Sequence, residues 1–484
     1  MLIHNKTMSN DISENLAVSP PKMDSSNVPA MLQAGRMDTN MLMDISSDVL
    51  DPIVINERNC RFVLQNKGYL HDGSRITLGV LKNASALSGA FFPPNVGVHS
   101  LIRRATLSIG GNDISELDDF NHFKTYQSMF LSSEINKSRE SVMSGRFVSH
   151  EFKYDQTAGA QSATSAPSYG LDTGMSYNGT NVLLPQWLNV VNEPTFSITL
   201  AQLFPFMKGL NLPLFAMKQE VIIDLLWEPV TGNGRCSVDI NASIGKAFLI
   251  DTNNVKLVAD HIFYDGEKMA QDLNTYMTTD TNFAYNDYRL TKTTLSVADA
   301  QNSVRNLGGA GRIVSKIITG IHDDNRSGHY VMNKYAAIAP NRDYTNASVE
   351  KRKNGTLTAN VRMNDFFVFP IDLTNTAVLF DKTTRAEGSL PFVTREEYSA
   401  EGNVLTSDGF HGHAQNASIG LLGNFFFQSY KLPAGRINSR GLELTTQLDA
   451  LPTLSGSQTY TQRTYIEIGR VATLSRGFLT SGFR

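Results

Sequence analysis

The stretch FPFMKGLNLPLFAMKQEVIIDLLWEP, residues 204–229, decides how the rest of the chain is read. It opens as a short aromatic turn closed by Gly209 and passes through Pro213. It then sets Val221, Ile223, Leu225 and Trp227 in alternation with Ile222, Asp224, Leu226 and Glu228. A period of two with one strongly apolar face is the pattern of a strand. Pro229 has no amide hydrogen to offer a neighbouring strand, so it suits a strand end. The stretch is therefore expected to close one β-rich unit, with a second unit after it.

A chain of 484 residues exceeds the size at which a single core stops growing, so two domains of roughly 200 residues are expected. Lys+Arg 43 against Asp+Glu 46 leaves a net charge of −3 with no long basic run, which excludes electrostatic wrapping of nucleic acid as the main task. Cys60 and Cys236 are too few for a disulfide framework and read as buried free thiols. The opening MLIHNKTMSND lacks the pattern of a signal peptide, and no run reaches the length of a membrane span. A soluble product of a reducing compartment is expected, with sequons such as Asn83 and Asn346 serving as ordinary polar turns.

Residues 1 to about 45 are polar, carry Pro20 and Pro21, and show no sustained period, which suggests an arm. From Val54 the pattern changes. Cys60, Phe62 and Leu64 alternate with Arg61, Val63 and Gln65, and Ile76, Leu78 and Val80 follow a Gly-containing connection, predicting two strands. In residues 101–134, Leu101, Ala105, Leu107 and Ile109 share a strand face and Gly110–Asp113 turns the chain back through Ile114. Asp118 or Asp119 then caps a helix bearing Phe120, Phe123, Gln127 and Phe130 on one side.

Residues 155–181 form a Gly/Ser/Thr-rich loop too polar for a core, and residues 340–357 form a second polar excursion. Phe196, Ile198 and Leu200 lead back into the opening stretch. In the second half, Val255, Leu257 and Ala259 alternate, GEKMAQDLNTYM reads as a helix, and a run of glycines precedes Ile313–Ile318. Thr394–Glu397 has the form of a capping box. Strands are expected on either side of a loop in 420–448, and a last pair near Tyr465–Val471 and Leu474–Leu479. Many short strands with helices in their connections point to an all-β sandwich architecture.

Five stretches, in this order, resemble the double jelly-roll major capsid proteins of the large eukaryotic DNA virus, virophage and polinton-like virus lineage. They are LIRRATLSIGG (101–111), LPLFAMKQEVIIDLLW (212–227), VKLVADHIFYDGEKMAQ (255–271), VRNLGGAGRIVSKI (304–317) and FFFQSYKLPAGRINSRGLEL (425–444). Each is a structural signature, and none is a catalytic one. Met217-Lys218-Gln219 departs from the spelling of the large-virus members and places the chain nearer the small-virus branches.

The resemblance implies two tandem eight-stranded jelly rolls with short helices in connecting loops. The corresponding division is an arm at 1–48, a first roll at 49–232 and a second at 233–484. It further implies a homotrimeric, pseudo-hexagonal capsomer of an icosahedral double-stranded DNA virus shell. Neighbouring capsomers, penton and minor capsid proteins would be its partners, with an inner membrane as a further contact and no sequence-specific nucleic acid binding. The two polar excursions would be towers, because jelly rolls accept long insertions at strand ends without disturbing the core.

Candidate chemical sites are weaker than these signatures. Gly308-Gly309-Ala310-Gly311 has the glycine density of a phosphate loop, but such loops open a helix, whereas these residues precede a β-branched run. His411 and His413 share a side of an extended segment, yet no acidic residue follows at ligand spacing. Glu396-Glu397 and Asp323-Asp324 are adjacent pairs whose side chains diverge, so neither pair flanks one glycosidic bond. Arg436, Arg440, Arg463, Arg470, Arg476 and Arg484 make the C-terminal fifth locally basic and are expected in subunit ion pairs. The reading is thus a structural protein with no catalytic, cofactor or metal residues; the alternative is a large β-sandwich carbohydrate-binding protein or glycoside hydrolase.

Overall fold

The computed structural model describes residues 43–82, 90–91, 96–128, 139–140, 142–144, 152–155, 168–171, 195–228, 238–239, 248–295, 303–323, 357–364, 366–368, 376–388, 427–433, 435–438, 441–448 and 460–483. Val221–Trp227 is a strand with the expected alternation, its odd-numbered side chains buried. It lies inside a sheet, antiparallel to Asn59–Leu64 on one side and Ile102–Ile109 on the other, with Asn112–Asp118 beyond the latter. The facing sheet is built from Met43–Leu50, Phe248–Tyr264, Arg75–Lys82 and Thr195–Thr199. Phe62, Leu107 and Ile223 from the first sheet and Ile76, Leu257 and Ile198 from the second belong to the buried core.

Leaving aside two-residue strands and the separate hairpin of Phe152–Asp155 with Ser168–Leu171, the strands of this half, numbered in chain order, form sheets ordered first–eighth–third–sixth and second–seventh–fourth–fifth. The second half uses Thr281–Leu295, Ser303–Gly308, Val314–Asp323, Leu357–Met363, Phe366–Phe367, Gln428–Lys431, Leu442–Leu448 and Tyr460–Ser475 in the same two orders, its fifth strand reduced to two residues and Phe478–Phe483 added beside the eighth. One topology is thus built twice, without a repeated sequence. Two facing sheets of this kind hide their apolar faces against each other, as in a jelly roll.

Strand direction fixes where the connections lie. Every pairing between these strands is antiparallel, so successive connections leave at opposite ends of each sandwich. The short turns 65–74 and 110–111 and the segment 200–220 share one end. The longer connections 83–101, 119–194 and 228–247 share the other. In the second half the same division sets 309–313, 364–365 and 432–441 against 324–356, 368–427 and 449–459. Contacts of Ile114, Ser115 and Asp118 with Tyr285, Asp287 and Lys292 show that Asn112–Asp118 and Thr281–Leu295 run in the same direction. The long connections of both halves therefore share one end of the molecule, and the helix Gly266–Thr278 joins the halves at the short end. Within the stretch expected as a loop at 155–181, Ser168–Leu171 is a strand paired with Phe152–Asp155; the other residues after Asp155, and 340–356 of the second expected loop, lie outside the described ones.

Several expectations need correction. The boundary at 232 falls short, because Phe248–Tyr264 completes the first sandwich by pairing with Met43–Leu50 and Arg75–Lys82. The register shift between Asp251 and Lys256, where the Asp251 carboxylate accepts a bond from the Asn253 amide at 3.1 Å, interrupts the alternation that would have marked one long strand. The arm expected to run to 48 gives way to a strand at Met43. The two strands expected around the Gly-containing connection, Asn59–Leu64 and Arg75–Lys82, are present and belong to opposite sheets. The final hairpin turns at Arg476 and Gly477, both at positive φ, so Leu474 belongs to the outgoing strand. Cys60 is a buried free thiol, pushed up to about 12 by burial and by Asp224; Cys236 and the capping box at Thr394–Glu397 lie outside the described residues.

Trp227 is buried at the end of a central strand, so Trp227→Ala is expected to cost about 3–5 kcal/mol. A melting temperature within a degree or two of the parent would contradict this packing.

Candidate functional site: the seam between the two halves

The hairpin that carries the seam follows from its turn residues. Gly110 and Gly111 both have positive φ, the requirement of a tight two-residue turn whose twist matches its strands. A side chain at Gly110 would also collide with Gln219. Gln219 is held there because its Oε1 accepts a bond from the Leu479 amide at 2.6 Å, while the Lys218 amide donates to the Gly477 carbonyl at 2.8 Å. The C-terminal hairpin is thereby docked on the first half at the short end.

From this turn Asn112–Asp118 runs along Thr281–Leu295. The Ile114 carbonyl accepts from Tyr285 Oη at 2.6 Å and from Arg470 Nη1 at 2.8 Å. Arg470 also meets Asp287 at 2.8 Å, and Ser115 donates to the same carboxylate at 3.0 Å. Asp113, Glu116 and Asp118 face Arg289, Arg312 and Arg470 across an open cleft of about 480 Å³.

Asp119 ends the strand in the left-handed region, at φ 49°, and directs the helix Phe120–Ser128 onto the second half. Its role differs from the expected helix cap. One carboxylate oxygen accepts from Arg463 Nε at 2.7 Å, the other from Lys292 Nζ at 2.8 Å, and its carbonyl accepts from Tyr465 Oη at 3.0 Å. Asp119 and Arg463 are both buried. Burial alone would raise the Asp119 carboxyl, but Arg463 and Lys292 outweigh it and hold the group below its ordinary range.

The helix then adds apolar area. Phe123 packs on Tyr288 and Tyr465, with ring centres 4.5 and 5.2 Å apart, and Tyr126 meets Phe427 at 5.4 Å. His122 and His322 meet edge to face at 4.7 Å. Tyr126 also donates to Glu387, which accepts from Ser429 at 2.9 Å and from Lys316 at 3.0 Å. Lys316 bridges to Glu467 at 3.3 Å, and Glu467 accepts from Tyr288 at 2.7 Å. Burial, reinforced by these carboxylates, pushes the Tyr126 and Tyr288 hydroxyls far up, so they keep their protons and donate them to Glu387 and Glu467. For Glu467, burial works upward, but Lys316 and the donated bonds bring it below the ordinary value. Asp287 is raised, because burial exceeds the pull of Arg470.

The expected sites fare differently. Gly308–Gly311 is a turn between two strands, with Gly308, Gly309 and Gly311 at positive φ. Asp323 closes a strand; Asp324, Glu396, Glu397, His411 and His413 lie outside the described residues. Arg463 and Arg470, expected in subunit ion pairs, instead reach across the two halves of one chain, Arg463 by its ion pair with Asp119 and Arg470 by donating to the Ile114 carbonyl. Arg436 is exposed and Arg476 occupies the final turn, while Arg440 and Arg484 fall outside the described residues. Among the described residues, no three of His, Cys, Asp and Glu gather as metal ligands would. No helix among them is long and apolar enough to cross a membrane.

Comparison with known proteins follows the same lines. Residues 73–265 match the family model of the major capsid protein N-terminus. A PBCV-1 virus capsid chain is 13% identical, with a TM-score of 0.54, over 93% of this chain and 98% of that one. PBCV-1 VP54, fitted into a reconstruction of the virophage Sputnik, is 12% identical, with a TM-score of 0.54, over 92% and 97%. At such identity these structures speak to the fold alone. No curated protein sequence matches.

The acid response of the seam has a defined sign. Asp119 and Glu467, both lowered, contribute stability that is complete above roughly pH 4 and lost as pH falls through their folded-state values. Asp287, raised, responds in the opposite sense. Arg463→Met strands a buried carboxylate with one cation and is expected to cost about 3–5 kcal/mol by the denaturant midpoint. Asp119→Asn is expected to flatten the loss of stability as pH falls below about 4. An unchanged slope would place the acid sensitivity elsewhere.

Proposed function

We propose that this chain, a double jelly-roll major capsid protein, works by assembly, with three copies forming a pseudo-hexagonal capsomer of six rolls in an icosahedral virus shell. The observation that carries the reading is the use of one strand order twice in a chain whose two copies share direction. Two like rolls side by side supply one third of a hexagonal outline. The first roll is assigned to 43–264, the second to 281–483, and Gly266–Thr278 to the connection between them.

The long-connection end is assigned to the outside, because extended polar insertions need water for their backbone groups. Residues 1–42 join the first strand at the opposite end, where Met43 pairs with Tyr264, and they are assigned to the shell's inner side. Penton and minor capsid proteins, and a membrane beneath the shell, are the further partners proposed. Catalysis has no part in this reading: the buried carboxylates of the seam are engaged by Arg463, Lys292, Arg470 and Lys316.

Native mass measurement of the full chain is expected to give a trimer, and a monomer would contradict the reading. Replacing 155–181 or 340–357 by a short Gly/Ser linker should leave that mass pattern intact, since closure entropy changes slowly with loop length. Deleting residues 1–42 should preserve melting temperature and trimer while lowering particle yield, whereas deletion through residue 50 should destabilise the first roll by removing an edge strand.

A further inference from the structure

In the strand Phe248–Tyr264, Val255, Leu257, Ala259 and His261 follow one another at a spacing of two, so all four face the same side. The first three are buried aliphatic groups of the core, and His261 is equally buried. An imidazole thus stands where the row calls for an aliphatic side chain. On the edge strand Met43–Leu50, Ser46 is opposite His261 and Asp48 is opposite Ala259, so Ser46 and Asp48 turn towards the same side as the ring. His261 Nε2 lies 3.4 Å from Asp48 Oδ2. Lys67, from the connection 65–74, makes an ion pair with the same carboxylate oxygen. Asp260, next to His261 in its own strand, accepts a hydrogen bond from Ser47. On the other side of His261 the backbone partner is Leu70, and the adjacent Tyr69 gives its hydroxyl proton to Asp272. The charges that act on the ring are therefore those of Asp48, Lys67 and Asp260.

We infer that Asp48, Lys67 and His261 form a latch that holds the strand Met43–Leu50, and with it the attachment of residues 1–42, at neutral pH and loosens it in weak acid. With the ring neutral, Lys67 and Asp48 balance each other beside it and the strand completes the sheet. Among the described residues the strand pairs on one side only, with Phe248–Tyr264, so its release breaks a single row of backbone bonds. A proton on His261 would place a second cation next to Lys67 in a buried position. Burial is the largest influence on the ring and lowers its proton affinity; Asp48 and Asp260 work upward and Lys67 downward, and the outcome lies below the ordinary value. When the strand detaches, Asp48 leaves and water reaches the ring, which then takes a proton at its ordinary value of about 6.5. The detached state binds more protons, so attachment is fully favoured above about pH 6.5 and weakens as pH falls below it. This window is separate from that of Asp119 and Glu467, which respond below about pH 4. The latch does not depend on the trimer, because every group in it belongs to one chain.

The test is hydrogen exchange of the full chain between about pH 7.5 and about pH 5.5, read by mass spectrometry and corrected for the intrinsic exchange rate. Protection of residues 44–50 is expected to be level above about pH 7 and to fall up to about tenfold between about pH 6.5 and 5.5, one proton being taken up per opening. The central strand Val221–Trp227 should keep its protection across the range. In His261→Gln the fall should vanish. Lys67→Met, which removes a cation beside the ring, should make the fall shallower, whereas Asp48→Asn, which removes the anion, should carry it to lower pH. Protection of residues 44–50 that does not respond to pH in the parent would overturn the inference, and so would a tenfold fall that persists in His261→Gln. Should His261→Gln fail to fold, the two charge variants decide the matter alone: shifts in the same direction would contradict the latch.

Discussion

A buried aspartate at the end of one strand determines how the two halves meet. Asp119 stands between Arg463 and Lys292, and its carbonyl takes the hydroxyl of Tyr465. Removing a carboxylate from water is costly, and only close cations with good geometry recover that cost. Asp119 therefore tolerates one relative position of the halves. Its left-handed backbone then aims the helix Phe120–Ser128 so that Phe123 and Tyr126 fill the apolar part of the seam. Lower down, Arg470, Asp287 and the Ile114 carbonyl fix the same register, and Gln219 with Lys218 closes it at the short end. The seam is thus held along its length by directional bonds.

This constraint explains why a doubled topology is useful. A sandwich with free edges invites association along those edges. Within the chain one such side is matched by ion pairs and aromatic contacts. The outer face of the corresponding sheet in the first half is mixed, with Arg75, Lys256 and Asp260 beside Ile45 and Val49. A stiff pair of rolls would assemble more uniformly than two rolls on a flexible joint.

Much of the frame was legible in residue order because it depends on local alternation and on turn chemistry. Val221–Trp227 and Asn59–Leu64 bury every second residue, and Gly110-Gly111 announces a hairpin. What depended on distant partners was not legible. Phe248–Tyr264 belongs with Met43–Leu50, some 200 residues away in sequence, and the alternation of Val255, Leu257 and Ala259 marks a strand without saying which sheet receives it. Asp119 looked like a helix cap because capping is the local use of such a residue; its cations lie far along the chain, and nothing in their spacing points back to it. Arg463 and Arg470 were recognisable as ion-pairing residues, but sequence alone does not distinguish a partner in the same chain from one in another. His411, His413, Glu396 and Glu397 lie outside the described residues and keep their reading from sequence.

The most direct measurement is a three-dimensional reconstruction of the purified protein by electron microscopy. The proposed assembly gives six rolls in a closed ring, alternating first and second, with Asp119 and Arg463 in the seam inside each chain. A two-fold particle, or a ring in which that pair separates two chains, would contradict it.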